Sequence, residues 1–227
     1  MPRLFAIALL ALAAAPGWAQ VSGQIALATD YRFRGISLSD GPALEASLSY
    51  DHSTGLYAGV FASNVDVPQS GVGVQAYGGY ARRWGDAKAW DVGIVGYVYP
   101  SSPSGRRYDF AEAFAGITLE RVGLRVYASN DYYGSGNPSL YGEGSAGFAL
   151  TAWLTLGVHL GLLGVWPQAS EGGAQTRLDG RIGLTTQAAG FTVDLSVVGT
   201  SAQGTRCPGS DPGRCDTGLV LTISRGF

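Results

Sequence analysis

The strongest constraint in this chain is a hydrophobic period of two. Ile25, Leu27, Thr29, Tyr31 and Phe33 alternate with Gln24, Ala26, Ala28, Asp30, Arg32 and Arg34. Trp90, Val92, Ile94 and Val98 alternate with Asp91, Gly93 and Tyr97, and Leu178, Ile182 and Leu184 with Arg177, Asp179, Arg181 and Gly183. Phe191, Val193, Leu195 and Val197 alternate with Thr192, Asp194 and Ser196. Successive side chains of a strand point to opposite faces, so each segment has one apolar face and one small, polar or charged face. Twelve such segments are expected, at 21–34, 42–51, 56–64, 72–84, 87–99, 110–120, 122–132, 140–150, 153–163, 176–186, 190–199 and 216–227. Many reach the ten or so residues that a tilted strand needs to cross a bilayer.

The connections alternate in length. GISLSDG, VDVPQSG, PSSPSGRRYD, YGSGNPS, GVWPQASEGGAQ and TSAQGTRCPGSDPGRC follow the odd segments, whereas HSTG, GDA, RVG, TAW and QAAG follow the even ones. Long loops at one end and tight turns at the other are the pattern of an outer-membrane barrel. In hydrocarbon every backbone N–H and C=O must be paired, so the sheet has to close. The expected fold class is therefore all-β, a transmembrane antiparallel β-barrel of about 12 strands.

Composition agrees. Of 227 residues 46% are hydrophobic and 14% charged, with 35 Gly and a net charge of −2. A lipid-facing belt excludes charge, and glycine in turns and on inward faces lets strands bend and leaves room in the lumen. The lack of a basic excess excludes a nucleic-acid partner. Aromatics near strand ends (Tyr31, Phe33, Trp84, Trp90, Tyr99, Tyr132, Tyr133, Trp153, Trp166 and Phe227) suit two interfacial girdles. The segment from Ser145 to Trp166 has no Lys, Arg, Asp or Glu and is long enough for a helical span. Its leucines fall on alternate positions, however, and Thr151–Ala152 can turn, so two strands are expected there.

The first residues form a separate unit. Arg3, the apolar run Leu4–Ala15 and the small residues Gly17 and Ala19 form a secretory leader, with cleavage expected after Ala19 and the barrel over 20–227. Export places Cys207 and Cys215 in an oxidising compartment, where they are expected to form one disulfide in the last loop. Phe227 ends the chain on the parity of Leu219, Leu221 and Ile223. That resembles the signal by which the barrel assembly machinery of Gram-negative bacteria receives outer-membrane proteins. Outer-membrane lipid and lipopolysaccharide are the expected surroundings, and small solutes the expected cargo.

The inward parity carries the candidate functional residues. Cations are Arg32, Arg34, Arg125, Arg177 and Arg181. Anions are Asp30, Glu45, Asp91, Glu112, Asp131, Glu143, Asp179 and Asp194, and His159 faces the same way. Such rows either pair and plug a narrow barrel or line a water path and bias which ions pass. Asp30, Arg32, Arg34 and Glu45 are candidates for a charged constriction near the outer mouth, with a purely structural network as the alternative.

The stretch YRFRGISLSDGPALEASLSYDHSTGLYAGVFASNVD, Tyr31 to Asp66, resembles the signature of the TorF family of proteobacterial porins. DVGIVGYVYP at 91–100 and DFAEAFAGITLERVGLRVYASNDYYG at 109–134 are similar to its later blocks. The resemblance implies an outer-membrane barrel and a porin role. It implies no catalytic residue and no particular substrate, and the Cys-bearing final loop lies outside the pattern.

Gly142, Gly144 and Gly147 match a dinucleotide fingerprint, but a strand follows rather than a helix, and no cofactor or metal site is expected. Two other classes compete with a porin. An outer-membrane hydrolase would need a nucleophile beside a base such as His159, and the sequence places no serine there. A soluble exported lipocalin-like barrel would need far more charge on its outer face.

Overall fold

The structure is a computed structural model that describes residues 20–68, 70–100, 108–167, 174–202, 207 and 212–227. The leader expected over 1–19 lies outside the described residues.

Among the described residues fourteen strands follow one another: β1 (Gln20–Ala28), β2 (Arg32–Phe33), β3 (Ile36–Ser37), β4 (Ala43–Asp51), β5 (Leu56–Val67), β6 (Ser70–Gly85), β7 (Lys88–Val98), β8 (Phe110–Leu119), β9 (Val122–Ser129), β10 (Ser139–Ala149), β11 (Leu154–Val165), β12 (Gln175–Ala188), β13 (Phe191–Thr200) and β14 (Gly218–Gly226). Twelve of them close into one antiparallel barrel in which β1 pairs with both β4 and β14. The two short strands, β2 and β3, form a separate hairpin. All twelve expected segments are present as barrel strands. The charge-free segment is β10 and β11 joined by a tight turn, and among the described residues no helix is long and apolar enough to cross a membrane.

The barrel has its apolar side chains outside. Leu27, Ile94, Leu160, Leu178 and Leu219 are all more than half exposed. An apolar surface of that extent is matched by hydrocarbon and not by water. Trp84, Trp153 and Phe227 are exposed at the short-turn end and Trp166 at the long-loop end, as girdle residues should be. At the seam, Gly23 and Phe227 exchange both backbone hydrogen bonds (2.9 and 3.0 Å), so the last residue completes the closure.

Two expectations change. The first strand stops at Ala28 rather than running to Arg34. Beyond Thr29, whose N–H still bonds the Leu221 carbonyl of β14, the chain leaves the wall and carries the β2–β3 hairpin into the lumen before β4 begins at Ala43. The connection VDVPQSG is mostly strand, because β5 continues to Val67 across a bulge and β6 starts at Ser70.

The interior is layered along the barrel axis. Toward the long-loop end Phe33, Leu38, Val65, Tyr97, Tyr99, Phe110, Tyr132, Tyr141 and Leu163 pack into one buried cluster, which Tyr57 extends toward the short-turn end. Toward the short-turn end the inward positions include Ser47, Ser49, Gly123, Ser145, Gly147 and Thr155, all half-buried. The outer half is therefore filled, while the inner half mixes these small polar positions with buried groups such as Tyr57, Thr185 and Asp194. Half of the expected girdle aromatics belong to that filling. Phe33, Tyr99 and Tyr132 are buried and Tyr31 and Tyr133 pack against them. Their loops fold inward, and strand-end position alone does not distinguish the two destinations.

Candidate functional site

Residues 29–42 act as a strap across the lumen. The β2–β3 hairpin turns at Arg34 and Gly35, which have φ values of 50° and 79°. Two consecutive left-handed residues are what a two-residue hairpin of type I′ requires. Glycine takes that conformation freely, but for an L-residue such as Arg34 it costs about 1–2 kcal/mol. Something beyond the turn therefore holds Arg34 there.

That something is the far wall. The strap leaves β1, and β9 lies six strands away from β1 in either direction around the ring. Arg34 reaches the strands on both sides of β9. Its Nη2 donates to Glu112 Oε2 of β8 at 2.7 Å, with the two side chains 4% and 0% exposed. Its guanidinium lies over the ring of Tyr141 on β10, with Cζ 4.0 Å from the centroid, and within 5.6 Å of the rings of Phe33, Tyr127 and Tyr132. Desolvated cation–π contacts of this kind contribute about 2 kcal/mol or more. Tyr97 of β7 donates its hydroxyl to the same Glu112 oxygen at 3.0 Å. Removing one partner of a buried ion pair costs about 3–5 kcal/mol, so Arg34 and Glu112 depend on each other.

Gly35 permits the crossing. A Cβ there would lie 2.6 Å from the carbonyl oxygen of Gly199 and 2.9 Å from Asp179 Cβ and Thr200 Cβ. The start of the strap is pinned by Arg32, which bonds Asp30 at 2.6 Å and the backbone oxygens of Val198 and Asp216. Asp30 also accepts from Ser37 and Ser39. The last loop closes over the hairpin. Cys207 and Cys215 form the expected disulfide, and with Ala202 they bury Ile36. Arg214 of that loop pairs with Asp66 at the end of β5.

The remaining predicted residues face inward on the wall. Arg125 pairs with Asp91 at 2.7 Å, and Tyr57 donates to the same carboxylate at 2.9 Å. Arg181 pairs with Asp194, which also accepts from Thr185 and Ser196. His159 Nε2 lies 3.0 Å from Asp179 Oδ1 and 3.2 Å from the Tyr141 hydroxyl. Glu143 accepts from Tyr127 at 3.3 Å. Glu45 faces the lumen near the long-loop end of β4, separate from the Asp30–Arg32 pair. Arg177 faces inward with its Nε buried and without a hydrogen-bond partner among the described residues. Ser145 stands opposite His159 in the β10–β11 register, but among the described residues no serine hydroxyl bonds His159.

The expected quartet therefore divides. Asp30 and Arg32 form a local brace, Arg34 crosses to Glu112, and Glu45 has no ion-pair partner among the described residues. The sequence reading also left out the aromatic half of the site. Tyr97, Phe110, Phe114, Tyr127 and Tyr141 share the inward parity of Asp91, Glu112, Arg125 and Glu143, so period two alone could have placed them in the lumen. In the loops, burial pushes the phenols of Tyr31 and Tyr133 well up and that of Tyr99 up to about 12.

Over residues 12–227 the chain matches Gcw_chp, a family of bacterial proteins of unknown function. The chain belongs to that family. No curated protein matches it in sequence. In three dimensions this Gcw_chp member is similar to the NanC porin, with a TM-score of 0.54 and 12% identity over 90% of this chain and 98% of the other. It is similar to the KdgM porin, solved in complex with disordered oligogalacturonate, with a TM-score of 0.56 and 10% identity over 91% and 99%. An outer membrane channel from Pseudomonas putida F1 gives a TM-score of 0.51 and 12% identity over 94% and 97%. At these identities the likeness establishes the barrel architecture of this Gcw_chp member.

Proposed function

We propose that this Gcw_chp protein is an outer-membrane porin that passes small solutes or ions by passive diffusion, and that the strap at 29–42 is its gate. The observation that carries this reading is the origin of the obstruction. The wall forms a complete ring, and what crosses it is a loop whose only covalent attachments to the wall are its two ends, the rest being side-chain contacts and one backbone hydrogen bond from Asp66 to Leu38. Wall side chains contribute to the filling and stay with the barrel, whereas the strap can leave while every ladder hydrogen bond survives. Withdrawal of the strap would join the small polar positions at the short-turn end to the outside. The resemblance of Tyr31–Asp66 to TorF porins supports the same role, and the strap lies at the start of that stretch. With the leader removed, the short turns face the periplasm and the long loops face outward. Phe227 then presents its terminal aromatic to the assembly machinery.

Planar-bilayer recording of the refolded protein tests the reading. Discrete, reversible conductance steps are expected, with long closed periods. A barrel with a normal heat-dependent shift in electrophoresis, but no conductance even after the strap has been disabled, would instead be a plugged structural barrel. Conductance-free protein whose ester or peptide hydrolysis is abolished by His159→Ala would favour the hydrolase.

A further inference from the structure

Apart from Phe33 of the strap itself and Tyr132 of the β9–β10 loop, the cage around Arg34 is built by the wall. Glu112, Tyr97, Tyr127 and Tyr141 belong to β8, β7, β9 and β10, and they stay in place when the strap leaves. A carboxylate under π faces in a dry recess is a receptor for a cation that is weakly hydrated and flat. We propose that this cage is a binding site for small organic cations bearing a guanidinium or similar group, and that Arg34 is a tethered occupant of it. The proposal rests on the porin reading and names the solute class for the same lumen.

Two further observations support a ligand other than Arg34. Its pairing with Glu112 is single-pointed, since among the described residues Arg34 Nη1 and Glu112 Oε1 are both buried without a hydrogen-bond partner. A free guanidinium is not constrained by a left-handed backbone and can present two parallel N–H donors to both carboxylate oxygens. The rest of the wall has the same charge bias. Among the predicted wall residues the carboxylates Glu45, Asp91, Glu112, Glu143, Asp179 and Asp194 outnumber the guanidiniums Arg125, Arg177 and Arg181. Anionic solutes are disfavoured by that balance. The cage also couples binding to opening. If Arg34 withdraws alone, it leaves Glu112 buried and uncompensated, whereas an incoming cation takes over the pair, so the solute itself favours the open state.

The test uses the refolded full-length barrel and methylguanidinium as probe. In Arg34→Ala the cage is vacant. Methylguanidinium should bind this variant saturably in calorimetry, at least tenfold more tightly than wild type, and should raise its thermal midpoint. Arg34→Ala/Glu112→Gln removes both charges, keeps the fold and should show neither effect. If Arg34→Ala folds only when methylguanidinium is present, that rescue is itself the expected result. An Arg34→Ala protein that gains nothing from methylguanidinium, folded or not, overturns the site, as does equal binding by the double variant. Bilayer recording separates the two readings. Conductance that does not prefer methylguanidinium to sodium overturns the cation site alone. A barrel that binds methylguanidinium but never conducts overturns the porin and leaves the site standing.

Discussion

Gly35→Ala tests the gate without touching a charge. Its backbone sits at φ +79°, where alanine costs about 1–2 kcal/mol. The new Cβ would also meet the Gly199 carbonyl oxygen at 2.6 Å, and a backbone atom inside a barrel ladder cannot easily move aside. Overpacking of that kind costs about 1–3 kcal/mol. Together the penalty is about 2–5 kcal/mol, and it falls almost wholly on the docked strap, because the wall keeps its hydrogen bonds. At about 1.4 kcal/mol per tenfold, the ratio of withdrawn to docked strap should rise by about 30-fold to 4,000-fold. Single-channel recording reads that ratio as open probability, and electrophoresis of unboiled protein confirms that the barrel has formed. A well-folded Gly35→Ala protein with the closed-time distribution of wild type would refute the claim that the strap is the obstruction.

Other predictions probe the membrane face, the loop brace and alkaline stability. Leu160, in the middle of β11 and 71% exposed, should cost about 2–4 kcal/mol when replaced by arginine in a lipid bilayer, while Ser145→Arg on the inward face of β10 should cost far less, both measured by reversible unfolding in vesicles. Replacing both Cys207 and Cys215 by serine opens a ring with a sequence separation of 8 and should lower stability by about 2–3 kcal/mol. The same double variant should expose the final loop to protease and, through Ile36, loosen the strap. The Tyr99 phenol is pushed up to about 12 by burial, whereas an unfolded phenol titrates near 10. Its contribution is therefore complete below pH ~10 and is lost as pH rises through about 12. Far-UV circular dichroism should show steeper alkaline unfolding in wild type than in Tyr99→Phe.

Most of the architecture was legible because it depends on local regularities. The alternation of Leu154, Leu156, Leu160 and Leu162 with Thr155, Gly157, His159 and Gly161 settled both the strand and its two faces, and the alternating loop lengths settled which end is which. The inward side of Asp91, Arg125, Asp179, Arg181 and Asp194 follows from the same parity. Their pairing does not, since Arg125 finds Asp91 two strands away. Period two describes a residue's face, and only the ring decides which faces meet.

The strap marks the limit of the sequence. Residues 29–34 keep the strand alternation of 24–28, so the continuous strand to Arg34 is the natural expectation. No local property of Tyr31, Phe33 or Arg34 decides between a wall, a girdle and a lumen. The decision comes from Glu112, 78 residues away from Arg34, from Tyr141 beside it, and from the last loop that covers Ile36. A buried carboxylate requires a buried cation, and only in the closed ring do the strap and the far wall come close enough to satisfy each other. The sequence by itself determined a twelve-stranded barrel with its apolar side outward and its disulfide in the final loop. The tertiary structure decided that the barrel is closed across its middle, by which loop, and around which charge.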